Sequence, residues 1–336
     1  LFLGDIVYPW GMREAGHAER ARDSVIVQNQ VALVAGPSAQ QFGAAGYFLA
    51  GNHDWGEARL HGGMDRLRNL ESFLDRRREA GPNVRLLPSA GVPGPAVVDV
   101  GERLRLLLYD TAWWLLVNDT AAKAETYRRT EEAIRGAGGR EIIIAAHHPY
   151  VSASSHGGLV PFWNTLGLRF LLHRSGAILQ DLTSARYREL LAAMRRSFGT
   201  VQPLLFAGGH DHNLQVIEGD GAPHPRFSVV SGSGSKVSAV GDVAGMRFRR
   251  AAPGYMRVVV HRSGQVDLFV VAAPDRRWLA CPGTGAVLVL DRVPFDELLS
   301  SGYGQLSLLK SALLLVAVVL ADSKAAATDA VEAVVV

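Results

Sequence analysis

Four apolar runs of this 336-residue chain end in side chains that bind hard or borderline metal ions. Leu1–Leu3 meets Gly4-Asp5, with Tyr8 close behind, and the run 46–50, "GYFLA", leads into Asn52, His53 and Asp54. The run 141–146, "EIIIAA", stops at His147 and His148, and 203–207 leads into His210, Asp211 and His212. Carboxylate, phenol, amide and imidazole donors suit iron, manganese or zinc rather than a thiolate site. Singly, each ending has a plain explanation: a surface turn for His-Asp-His, an Asx turn for "GNHD", an ordinary strand terminus for His148-Pro149. Together they share one structural position, outside the carboxyl ends of strands, where open α/β sheets hold ligands. A turn lets His210 and His212 reach different ions, with Asp211 between them. Asp5, at a bend, can bridge two ions; such pairs sit ~3.5–4 Å apart and generate hydroxide from water at neutral pH. A Tyr8 phenolate would favour a trivalent ion such as Fe(III).

The elements that must hold these residues alternate. Helical spacing covers Met64–Ala80, which stops at Gly81-Pro82, and also Ala121–Arg135 and Thr183–Ser197. Arg103–Asp110 reads as a strand entering a core. The runs 226–232, 254–261 and 265–271 are strand-like with no helix between them. Strand-helix units followed by a strand-rich end predict an α/β fold with two packed sheets flanked by helices. Residues 1–275 form the predicted main domain and 276–336 an extension with an apolar helix over 306–321. Its continuous apolar core, Ser311–Ala321, is 11 residues against the ~20 that span a bilayer, so it reads as a packed or interfacial helix, with weak membrane association as the other use.

Composition narrows the function classes. Hydrophobic residues make up 48% and charged ones 20%, which excludes a disordered chain. The net charge is +3 and the arginine pairs are scattered, so nucleic acid is not expected as a stable partner. Cys281 is the sole cysteine, which excludes an intrachain disulfide. The Gly-rich "SGSGSK" (231–236) follows a strand but lacks Walker spacing, and reads as a plain loop.

The motifs in order resemble the calcineurin-like metallophosphoesterase superfamily, most closely its purple acid phosphatase branch of the small tartrate-resistant type. "GDIVYPWG" (4–11) resembles that branch's Gly-Asp-x-x-Tyr motif, and "GNHD" (51–54), "AHHPY" (146–150) with "SHGG" (155–158), and "GHDHNLQ" (209–215) resemble its later ones. The resemblance implies a four-layer αββα sandwich around a dinuclear centre. Asp5 would bridge the ions, Tyr8 and His212 would bind Fe(III), and Asn52, His147 and His210 would bind Fe, Zn or Mn. His53 and His156 would face the substrate, bind phosphate and protonate the leaving oxygen. Asp54 and Asp211 would orient the ligands, and His148 would be structural or help to orient them. The implied reaction is hydrolysis of a phosphate ester, most simply a monoester; the alternatives are a phosphodiesterase or nuclease, or a non-catalytic metal-binding remnant. The resemblance also tilts localisation towards export, with membrane association resting on the apolar tail, and implies an earlier βα unit carrying a further aspartate ligand, so that residue 1 is expected to lie inside a domain.

Overall fold

In the computed structural model, residues 1–57, 61–157, 171, 175, 178–234, 236–272, 290–291 and 330–335 are described. The predicted apolar helix over 306–321 lies outside them. No helix among the described residues is long and apolar enough to cross a membrane.

Among the described residues, thirteen strands form three hydrogen-bonded groups. A seven-stranded mixed sheet has the order β3 (Ala96–Val100), β4 (Leu104–Leu108), β5 (Glu141–Ala145), β6 (Leu205–Gly208), β8 (Phe227–Ser231), β7 (Leu214–Glu218) and β9 (Met246–Arg250). Its centre, from β4 to β8, is parallel, and its edges are antiparallel. The second layer holds a parallel pair, β1 (Ala45–Phe48) and β2 (Asn83–Leu86), extended by a bridge from Phe2 to Phe48. It also holds an antiparallel group in the order β12 (Leu290–Asp291), β11 (Val266–Ala272), β10 (Gly254–His261) and β13 (Ala330–Val335).

Alternation along the strands builds two hydrophobic layers, because successive side chains point to opposite faces. Leu104, Leu106, Leu108, Ile143, Ala145 and Leu205 face inward and meet Met256, Val258, Val260 and Leu268 of the second layer, with Leu3 and Leu49. The intervening residues Leu107, Ile142, Ile144 and Phe206 face outward and pack under helices, as do Phe2, Phe48, Val84 and Leu86. Sheets apolar on both faces must be covered on both faces. Helices α4 (Thr111–Leu116), α5 (Thr120–Arg135) and α6 (Ala185–Phe198) pack on one another and supply Trp113, Trp114, Ala133, Ile134, Tyr187 and Met194 to the outer layer. On the other side α1 (Arg20–Ala35) and α3 (Met64–Glu79) cover β1 and β2, and a short α2 (Pro37–Gln41) follows α1. The result is an α/β protein with mixed sheets flanked by helices, arranged in the predicted αββα order.

Helix starts follow local chemistry. The carboxylates of Asp110 and Asp119 and the hydroxyl of Ser184 accept the backbone N–H of Trp113, Ala122 and Tyr187, at 2.8, 2.9 and 3.2 Å. Each relieves one of the orphan donors of a first turn. The predicted Thr183–Ser197 helix therefore begins two residues later, behind its serine cap. Helix α1 was not evident from spacing: only Asp23, Val27 and Val31 are buried, and Glu19 ahead of it makes no side-chain cap.

Candidate metal centre

The predicted residues lie at the carboxyl ends of two pairs of neighbouring parallel strands, one pair in each layer. Phe2 leads to Asp5 and lies beside β1, which leads to Asn52. Strand β5 leads to His147 and lies beside β6, which leads to His210. The layers are joined where they meet, because the Nδ1–H of His147 donates to the carbonyl of Leu3 at 2.8 Å.

That bond decides what His147 offers. With Nδ1–H occupied, the neutral ring presents a lone pair at Nε2. Facing it are Asn52 Oδ1 at 2.9 Å, His210 Nδ1 at 3.0 Å and Asp5 Oδ1 at 3.4 Å. The ligand atoms of Asp5, His147 and His210 all lie within 4.8 Å of one another. Electron-pair donors directed at each other in a buried place repel unless a cation or shared protons lie among them. Asp5 Oδ2, buried and without a hydrogen-bond partner, points to the same need. Two imidazoles with a carboxylate and an amide oxygen fit a zinc, iron or manganese ion.

The backbone is shaped for this approach. Asp5 adopts φ 55°, in the left-handed region that non-glycine residues rarely enter. Gly51 is pressed against it: a Cβ there would lie 2.2 Å from Asp5 Oδ1. A Cβ on Gly4 would lie 2.7 Å from His147 Nδ1. Asp54 clamps the two loops, accepting the N–H of Ile6 and Val7 at 3.1 Å each and of Gly51 at 2.9 Å. The neighbouring Trp55 indole donates to Asp110 Oδ2 at 2.9 Å, so the cap of α4 is also tied to the "GNHD" loop.

Tyr8 and His212 make a second, looser group. His212 donates from Nδ1 to the Gly232 carbonyl at 3.1 Å, which leaves Nε2 facing the Tyr8 hydroxyl at 3.4 Å. The two histidines predicted to face substrate flank the cluster. His53 stacks on Tyr8 with ring centroids 3.9 Å apart, and its Nδ1 bonds the Pro9 carbonyl at 2.5 Å. His156 lies against His210 with centroids 4.2 Å apart, and its side chain is 27% exposed. Asp23 on α1, also buried, is engaged by Arg13 at 2.8 Å.

Several partners carry no local sequence signal. Asp181 is buried, and its Oδ1 lies 2.6 Å from His156 Nδ1, so it holds that ring from 25 positions away. Among the described residues the Asp211 carboxylate makes no hydrogen bond to the candidate ligands. It accepts from the Ser152 hydroxyl at 2.5 Å and from the backbone N–H of His156, fixing the 152–156 segment. His148 Nδ1 bonds the Thr111 hydroxyl at 2.9 Å, its Nε2 is buried without a partner, and its ring packs on His210. The length of "GHDHNLQ" also has a reason. Asn213 bonds Ser154, and Gln215 bonds Ser152, Ser154 and the N–H of Ala153.

Burial sets the electrostatics. It pushes His147 down and His148 and His210 well down from the usual 6.5, and His212 to about 4. Neutral imidazoles are the form that binds metal. Burial, followed by the charge of Asp5, pushes Asp54 up to about 7 and Tyr8 above its usual 10. The protein alone therefore opposes a Tyr8 phenolate; a nearby trivalent cation inverts that preference.

No family model matches the chain, and no curated protein matches it. Among solved structures it is similar to a purple acid phosphatase, PPD1, from yellow lupin (Lupinus luteus) seeds, at 12% identity and TM-score 0.41, covering 85% of this chain and 52% of that one. It is also similar to GAP50, the anchor in the inner membrane complex of Plasmodium, at 16% identity and TM-score 0.33, covering 53% of this chain and 48% of that one. The chain thus spans about half the length of each. At these scores neither likeness bears on what this chain does.

Proposed function

We propose that the chain is a metal-dependent hydrolase of phosphoric esters, acting on monoesters. The observation that carries this reading is the convergence of Asn52, His210 and Asp5 on the lone pair of His147 within 3.4 Å. The order of the four motifs supports it. Asp5, Asn52, His147 and His210 would hold one ion, and Asp5, Tyr8 and His212 a second. Cations bound there supply a nucleophile from water at neutral pH and offset charge on the phosphoryl oxygens.

The chain's own residues do the rest. His53, with Nδ1–H donating to Pro9, donates to a phosphoryl oxygen from Nε2 when the ring carries both protons. His156 delivers a proton to the leaving oxygen, its ring held by Asp181 as a carboxylate holds the imidazole of a catalytic triad. Layers apolar on both faces exclude water from the floor of the site, which strengthens each of these interactions. The test is metal content and 4-nitrophenyl phosphate hydrolysis of the wild type beside Asn52→Ala and His147→Ala. Loss of both in the variants is expected. Turnover retained without bound metal would remove metal chemistry from the reaction.

A further inference from the structure

The Gly-rich "SGSGSK" segment, a plain loop by its sequence, is fastened beside the candidate centre at Gly232. Gly232 lies so close to the metal-ligand loop that a Cβ on it would sit 1.9 Å from the Gly209 carbonyl and 2.4 Å from that of Asp211. Its N–H donates to Asn213 O at 3.3 Å, and its carbonyl accepts from His212 Nδ1 at 3.1 Å. Six residues later the chain returns to the same histidine, where Ser238 N–H donates to His212 O at 2.7 Å. Lys236 lies between these two fastenings, and is exposed. It makes no ion pair among the described residues, although Arg247 and Arg249 on the nearby β9 are paired with Glu218 and Asp242.

We propose that Lys236 is an anion-recognition residue at the mouth of the centre, selecting substrates whose phosphoryl group carries two negative charges. An ammonium on a flexible stem is a point charge with three donors, suited to phosphate oxygens. A monoester offers it a dianion with three unsubstituted oxygens; a diester offers one charge and a second ester group in the way. The inference deepens the phosphoesterase reading and rests on it for the word substrate, but anion binding can be measured without turnover.

The experiment titrates inorganic phosphate into the full chain by calorimetry, for wild type, Lys236→Ala, Lys236→Glu and Lys236→Arg, with metal content measured for each. Expected is a Kd raised about fivefold by Lys236→Ala, more by Lys236→Glu and little by Lys236→Arg, as for a partly solvated charge pair. The difference should shrink at about 0.5 M salt through screening. In parallel, kcat/KM for 4-nitrophenyl phosphate should fall further than that for bis(4-nitrophenyl) phosphate. Wild-type phosphate affinity in Lys236→Glu at unchanged metal content would overturn the inference and leave the phosphoesterase reading standing. Phosphate binding that depends on Lys236 in a chain that cleaves neither ester would do the reverse. A wild type that binds no phosphate would overturn the inference.

Discussion

The two halves of the candidate centre differ in how they are built. The half around Asn52, His147 and His210 is buried, and its donor atoms sit 2.9 to 3.4 Å from His147 Nε2. It is braced from behind by Leu3, Asp54 and, through Trp55, by Asp110. The half around Tyr8 and His212 has one close approach of 3.4 Å between partly buried side chains, braced by the Gly232 carbonyl. The deep half draws its candidate ligands from both layers and is tied between them. The outer half has fewer bonds behind it. Position relative to the sheets, more than the identity of the ligands, sets how well each half is organised.

The sharpest way to break this contrast is to remove one ligand from each half. His147→Ala should lower aryl phosphate hydrolysis by a thousandfold or more, on the order of the several kcal/mol that metal chemistry supplies, and deplete bound metal. His212→Ala should cost less, on the order of a hundredfold, with one metal retained per chain. Equal losses in both assays would abolish the distinction. Asp181→Asn probes the orientation of His156. It should lower kcat for an alkyl phosphate by about tenfold, and less for 4-nitrophenyl phosphate, whose leaving group needs little protonation. Equal effects on both substrates would make Asp181 structural only.

Gly51→Ala tests the tight packing of the deep half. With a Cβ 2.2 Å from Asp5 Oδ1, overpacking should cost about 1–3 kcal/mol, read as a lower Tm without metal. An unchanged Tm would show that the loops yield. An effect that appears only with pH concerns Asp110, which burial pushes up from 3.8 to about 7. A raised folded value means that the folded chain holds the proton more tightly, so this contribution is complete below pH 3.8 and is lost as pH rises through about 7. Asp110→Asn should remove up to about 1.4 kcal/mol per pH unit from the fall in stability over that window, measured by denaturant unfolding. An unaltered slope would mean that the carboxylate is ionised beside Trp55.

Much of this was legible because strands announce themselves and end abruptly. The run 254–261 matches β10, and "EIIIAA" matches β5 to within a residue, since apolar, β-branched runs have few other uses. The candidate ligand residues were picked out for the same reason: each follows within a few positions of such an end. Strands β3 and β9, with alternate residues exposed at the sheet edge, lacked that density and went unread. Asp181 could not be found from sequence, since only the folded chain brings a lone carboxylate to an imidazole 25 positions away. Lys236 was visible, but no spacing shows that its loop returns to His212.

The left-handed turn at Asp5, with Gly51 against it, fixes the main chain from which the Asp5 and Asn52 side chains would reach an ion. Donors held so closely from behind have little room to spread for an oversized guest. Discrimination among cations would then come from that confinement as well as from the donors' chemistry, and an oversized, oxygen-seeking ion such as calcium should be turned away even when abundant.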